Sequence, residues 1–429
     1  MIEPRILRRL LEPEGQQALQ AAMDLAPQEA DFLPTFQRLS RRFPADLARA
    51  AAEQAILRRK AREKFPSAER MYFASEALEQ ATPGAVAAYR ASRFSGLAPI
   101  FDMACGLGGD ATALARVGPV VAVDRDRLRL MLLAANAAAL GLSDRLTLVR
   151  ADLHSPAWRF PSGAGAFYDP ARRVAGHRVR SVLGYQPPLD LIDEWLPHLA
   201  GLAAKLSPGV DLAEVAHYDC EIEFVALGNE LKEALLWFGA LKTVRRRATV
   251  LPGPETLTAE TEPDLPVGAP GAYLYEPNPA VIRAGMVRTL GVMLEARLLD
   301  RTIAYLTAER LTPTPFARAY QVLDTLPFQL KRLRARLRQM GAGPITVKKR
   351  GSALEPEELI RRLGLKGDQP VTIVLTRVLG KPHALIVREA GGVEEQAPSR
   401  EKEAGSGTEG SSRGQGSTAH PESSESKQG

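Results

Sequence analysis

Four short apolar runs between Ile100 and Asp169 each end in an aspartate: IFD at Asp102, VVAVD at Asp124, LTLVRAD at Asp152 and AFYD at Asp169. After the first, the chain turns through Gly106, Gly108 and Gly109 and continues as the helix-forming GDATALAR. Strand-like runs alternating with helical ones imply parallel pairing, hence an open, doubly wound α/β sheet. Further runs at Leu202–Leu206 and Ile222–Leu227 extend that block, which ends near Val250. In such sheets ligands bind outside the carboxyl ends of the strands, so the four acids share one edge. Aspartate is also a common turn former. That accounts for one or two of them, but poorly for four in register.

Glycine at 106 and 108 allows tight turns and lets a ligand approach the main chain. Nucleotide, flavin and adenosyl binders all use such a turn, so the turn alone does not choose between them. Asp124 stands eighteen residues after Gly106, where an acid reaches ribose hydroxyls. Asp152 is positioned to accept from an adenine amino group. A dinucleotide would rest its pyrophosphate on the helix start, but here that start carries Asp110, which repels phosphate. Asp102 repels phosphate too, yet could pair with the amino group of a methionine moiety. The pattern favours S-adenosylmethionine.

The spacing from Asp102 through Asp169 resembles that of class I S-adenosylmethionine-dependent methyltransferases. The form D-x-x-C-G-x-G-G, with AANAAALGL at Ala134–Leu142, is similar to RNA base methyltransferases, especially trimethylguanosine synthase-like enzymes. That resemblance implies that Asp102, Ala104, Gly106 and Gly108 hold the methionine part, Asp124 the ribose and Asp152 the adenine. It also implies that Asp169 and Pro170 face the methyl acceptor. Amino-directed relatives usually carry (Asp/Asn/Ser)-Pro-Pro-aromatic at that strand end, the aromatic stacking on the target base. This chain reads Tyr168-Asp169-Pro170-Ala171-Arg172-Arg173, without the second proline or the trailing aromatic. Tyr168 or Arg172 is the expected substitute for that planar surface. YLYEPNPAVIRAG at Tyr273–Gly285 and VKKRG at Val347–Gly351 resemble a bacterial THUMP-like domain, which implies RNA as partner.

The 429 residues suggest two or three domains. Residues 1–95 read as a helical N-terminal domain and 96–250 as the Rossmann-like methyltransferase core. Residues 251–271, rich in proline and acid, read as a linker, and 272–390 as a small α/β THUMP-like domain. A tail at 391–429, with no large apolar residue after Val393, reads as disordered. Two cysteines make no disulfide framework, and no apolar stretch reaches the roughly twenty residues of a membrane span. A cytoplasmic enzyme without a membrane partner is expected. No metal is expected either: His217 and Cys220 find no third ligand at a suitable spacing. Cys105 and Cys220 read as packing residues.

The net charge of +6 is uneven, because the tail from Gly391 holds seven acids against four bases. Eight basic residues and no acid fall between Lys331 and Arg350. Leu330, Leu333, Leu337 and Met340 form an apolar stripe there, leaving the cations to face outward. They read either as a solvated face or as a phosphate-tracking surface. Beside a methyltransferase core, the second reading names Lys331, Arg332, Arg334, Arg338, Lys348, Lys349 and Arg350 as RNA contacts. Two other functions fit the same residues: a small-molecule methyltransferase with an incidental basic patch, and a cofactor-binding protein without catalysis.

Overall fold

The computed structural model describes residues 3–154, 159–170, 173–174, 177–178 and 181–390, with no side chains described from 171 to 180. The expected tail lies outside these residues. Six helices open the chain: α1 (Pro4–Leu11), α2 (Pro13–Asp24), α3 (Phe32–Leu39), α4 (Ala45–Ala61), α5 (Ser75–Gln80) and α6 (Gly84–Ser92). Small residues let α4 bury most of its surface: Ala48, Ala51, Ala52 and Ala61 have no exposure at all.

The core follows as β1 (Ile100–Met103), α7 (Gly109–Leu114), β2 (Val120–Asp124), α8 (Arg127–Leu140), β3 (Leu146–Arg150) and β4 (Gly165–Tyr168). A short pair, β5 (Arg173–Val174) and β6 (His177–Arg178), leads to α9 (Leu191–Trp195) and β7 (Gly201–Leu206). Then come β8 (Glu221–Leu227), β9 (Glu230–Gly239), β10 (Arg246–Leu251) and β11 (Glu255–Ala259). The sheet order is β11-β10-β8-β9-β7-β4-β1-β2-β3. Pairing is parallel from β7 through β4, β1 and β2 to β3, as the alternating pattern predicts. The other end departs from that expectation, because β9 runs antiparallel between β7 and β8. The presumed linker also contributes β11, antiparallel to β10, with Leu257 and Leu265 buried.

A second sheet gathers β12 (Tyr273–Pro277), β13 (Arg297–Asp300), β14 (Ile303–Ala308), β15 (Ala317–Pro327), β16 (Ala342–Lys349), β17 (Gln369–Val378) and β18 (Lys381–Glu389). Its order is β13-β14-β12-β15-β18-β17-β16. Four helices accompany it: α10 (Pro279–Arg283), α11 (Val287–Met293), α12 (Leu330–Gln339) and α13 (Pro356–Leu363). The leucine stripe of α12 is core, with Leu333 and Leu337 packed against Leu359 and Leu363 of α13. Each buried leucine contributes about 2 kcal/mol of transfer free energy.

Residues 3–390 pack as one unit rather than as separate beads. Leu107, Leu132 and Ala135 belong to the same apolar cluster as the N-terminal helices. At the other end, α10 docks on the first sheet. Asn278 Nδ2 donates to the Gly228 carbonyl at 2.9 Å, and Arg283 donates to the carbonyls of Pro208 and Val210 at 3.1 and 2.5 Å.

Candidate active site

The turn after β1 is built by main-chain bonds to β2. The N–H groups of Ala104 and Cys105 both donate to the Val123 carbonyl at 3.0 Å. Ala104, Gly106 and Gly108 hold φ values of +70°, +57° and +83°. Asp124 braces the same turn: Oδ2 accepts from the Gly106 N–H at 3.0 Å and Oδ1 from the Asp126 N–H at 2.8 Å. The glycines then part roles. A Cβ at Gly106 would meet nothing within 4 Å, whereas one at Gly108 would sit 2.1 Å from Leu133 Cδ1 on α8. Gly106 borders open space; Gly108 lets helix pack on turn. Gly108→Ala should therefore destabilise the fold by about 2–4 kcal/mol, the sum of left-handed strain and overpacking, as read by denaturant unfolding.

Two of the four strand-end aspartates, Asp102 and Asp169, gather with the buried cations Arg90 and Lys205. Asp102 is 1% exposed, and its Oδ2 has no hydrogen-bond partner among the described residues. Burial pushes its carboxyl well above the ordinary range, and the charges of Asp110, Asp169 and Asp124 push further, with Arg90 opposing them. Arg90, equally buried, grips both oxygens of Glu233 at 2.7 and 2.6 Å, pairs with Asp110 and lies 4.3 Å over the Phe167 ring. Burial penalises that guanidinium, but Asp110, Glu233 and Asp169 outweigh it and raise its pKa. Asp169 Oδ2 accepts from Lys205 Nζ at 2.5 Å, and the same ammonium donates to Thr82 Oγ1 at 3.1 Å. Pro170 is buried beside it. Asp152 is exposed at the end of β3, with Oδ1 accepting from the His154 N–H at 3.0 Å.

Tyr168 corrects one expectation. Its side chain is buried, its O–H donates to the carbonyls of Pro187 and Pro188 at 2.7 and 3.0 Å, and its ring meets Trp195 edge-on. A ring held there cannot stack on an acceptor. Arg172 lies outside the described residues.

The N-terminal helices reach this site through Asn136 of α8. Its Oδ1 accepts from the Tyr72 N–H at 2.6 Å while Nδ2 donates to the carbonyls of Tyr72 and Leu107. The local sequence marks neither Arg90 nor Thr82 as a member of this charged cluster. The one visible signal was a lysine inside the apolar run GLAAKL, which is wholly buried as β7.

The basic stretch divides. Lys348 pairs with Glu276 at 2.7 Å and Lys349 with Glu355 at 2.6 Å. Arg350 donates to the Ala304 carbonyl at 2.8 Å and lies over Tyr305. Arg334 donates to the Arg362 carbonyl, and Arg336 pairs with Asp324 at 2.5 Å. Lys348, Lys349, Arg350 and Arg334 thus each have a partner within the protein. Lys331, Arg332 and Arg338 are exposed and make no ion pair among the described residues. Arg338 joins Lys366, from the turn after α13, along a cleft of about 370 Å³.

Cys105 and Cys220 are buried and free; burial pushes the Cys105 thiol well up and the Cys220 thiol to about 12. Among the described residues, no three His, Cys, Asp or Glu side chains converge as a metal site. No helix there is long and apolar enough to cross a membrane.

A family model described as RNA cap guanine-N2 methyltransferase matches residues 98–189. One described as THUMP domain-like matches 317–389, and a domain of unknown function (DUF8688) matches 4–61. In two strains of Mycobacterium tuberculosis, a protein named uncharacterized S-adenosylmethionine-dependent methyltransferase is 35% identical over 345 residues. The match covers 78% of this chain and 94% of that protein. A solved structure, "putative methyltransferase from Porphyromonas gingivalis W83", shares the fold at 22% identity and a TM-score of 0.67, covering 85% of this chain and 99% of that one. The chain belongs to the S-adenosylmethionine-dependent methyltransferases. Its cofactor is S-adenosylmethionine, and the fold is a Rossmann-like core carrying N-terminal helices and a C-terminal THUMP-like domain.

Proposed function

We propose that this methyltransferase acts on RNA and transfers its methyl group to a nitrogen of a base. The observation that carries the reading is Asp169: a partly exposed carboxylate at the end of β4, in the same charged nest as the orphaned Asp102. Two matches support the substrate class, the guanine-N2 methyltransferase model on the core and the THUMP-like model on the C-terminal region.

The chain's residues suit the cofactor. Asp102 Oδ2, buried without a partner, fits the ammonium of a methionine moiety, and the open space at Gly106 admits it against the main chain. Each Asp124 oxygen accepts one backbone N–H and keeps a lone pair for a ribose hydroxyl. Asp152, exposed at the neighbouring strand end, has an oxygen to accept from the adenine amino group.

When bound, S-adenosylmethionine supplies a methyl group on a positively charged sulfur, which keeps the electron pair of the broken C–S bond. Asp169 Oδ1 accepts the acceptor's N–H and so aims the nitrogen lone pair that forms the new N–C bond. That proton then passes to water. The protein's share is alignment and electrostatics. Radiolabelled methyl transfer into an unmodified, in vitro-transcribed pool of ribosomal and transfer RNA tests the reading; transfer to small amines but never to RNA would overturn it.

RNA docking falls to Lys331, Arg332, Arg338 and Lys366, exposed cations without an ion pair among the described residues. Four phosphate contacts on a single strand give a slope of about −2.8 in log affinity against log salt, from about −0.7 per contact. Reversing Arg338 and Lys366 to glutamate should roughly halve that slope in fluorescence anisotropy. Lys348→Ala, which breaks an internal pair, should leave the slope unchanged.

A further inference from the structure

A lysine inside a fully buried strand needs a reason. All six residues of β7 are buried, and Lys205 is 4% exposed among Ala204, Leu206 and the facing Leu235 of β9. Desolvating an ammonium is costly unless a charge partner stands close. β4 supplies one. Tyr168 pairs with Ala204 across the parallel ladder, which sets Asp169 and Lys205 side by side one residue further on. Thr82, just before α6, braces the ammonium from the N-terminal region at 3.1 Å.

The pair is lopsided. Lys205 is buried, but the Asp169 side chain is 27% exposed. Oδ2 takes the ammonium, whereas Oδ1 accepts no hydrogen bond from any described residue. One oxygen is anchored and the other faces outward. Around it stand the carboxyl groups of Asp102, Asp110 and Glu233, with Arg90 a second cation among the described residues.

We propose that Lys205 is a positioning residue for methyl transfer. It fixes the Asp169 rotamer, so that Oδ2 stays anchored and Oδ1 is left to accept from the substrate N–H. Thr82 fixes the ammonium in turn, which makes the N-terminal helical region part of the acceptor site. This rests on Asp169 facing the acceptor.

Two cycles of the same variants test it: Lys205→Met, Lys205→Arg, Asp169→Asn and the double Lys205→Met/Asp169→Asn. Without cofactor, Asp169→Asn leaves a buried cation uncompensated and should lower the melting temperature by several degrees. Adding Lys205→Met should recover most of that loss. With S-adenosylmethionine and the in vitro-transcribed RNA pool, Lys205→Met should lose some ten- to a hundredfold in kcat. Its cofactor Kd and RNA KM should stay within about twofold, and Lys205→Arg should restore part of the rate. In the Asp169→Asn background Lys205→Met should cost no further rate, because the two act as a unit. Additive losses in both cycles, or full turnover by folded Lys205→Met, would overturn the inference. If the wild type transfers methyl to no acceptor, the reading of Asp169 fails and this inference goes with it.

Discussion

Asp169→Ala should lower methyl transfer about a hundredfold or more while cofactor affinity changes little. A hundredfold corresponds to about 2.7 kcal/mol of transition-state stabilisation, typical of losing one well-aligned hydrogen-bonding group. The geometry separates the two effects. Asp169 presents Oδ1 outward at the end of β4, whereas Asp102 and the turn through Gly106 sit on the neighbouring strand β1. Single-turnover transfer measures the first effect and calorimetric titration with S-adenosylmethionine the second. Full turnover by Asp169→Ala would move the acceptor site elsewhere; equal losses in rate and cofactor affinity would make Asp169 a cofactor ligand.

S-adenosylmethionine at about a hundred times its dissociation constant should stabilise the folded chain by about 2.7 kcal/mol, and NAD should give no shift. Gly106→Arg should abolish that gain. The backbone there has a φ of +57°, and the new side chain would fill the open space beside the turn. Asp102 adds a pH dependence. Its carboxyl is raised by burial and by Asp110 and Asp169, so below that raised pKa the cofactor-free protein holds it neutral. A neutral carboxyl cannot pair with an ammonium, so binding must release a proton. Affinity should therefore fall as pH drops through the raised pKa and level off above it, by at most about tenfold per pH unit. Calorimetry in buffers of different ionisation enthalpy reads the proton directly. A pH-independent affinity, with no proton released, would remove Asp102 from the ammonium site.

Much of the core was legible because its signals are local. The apolar run into Asp102, the left-handed turn at Gly106 and Gly108, and the helix after Gly109 are each set by neighbours within a few residues. So were β17 and β18 and the leucine stripe of α12. β9 shows where such reading stops. ELKEALLWFG holds good helix formers, yet it lies as a strand between β7 and β8, buried along most of its length. Tertiary burial overrode propensity there. The segment after Pro252 was similar, since TLT between prolines is too short to announce the edge strand β11.

The sequence by itself determined the parallel half of the sheet, the edge at which its aspartates gather, and the class of cofactor those acids suit. Only the tertiary structure decided which charges are free to act. Lys348 and Lys349 looked equivalent to Arg338 along the chain, but Glu276 and Glu355 pair with the first two while Arg338 makes no ion pair among the described residues. Lys205 finds Asp169 across 36 residues, and Arg90 finds Glu233 across 143. A residue's pattern with its neighbours is written locally. The partner of a charge is chosen by what the fold brings within about 3 Å, because an ion excluded from water must be answered at that distance.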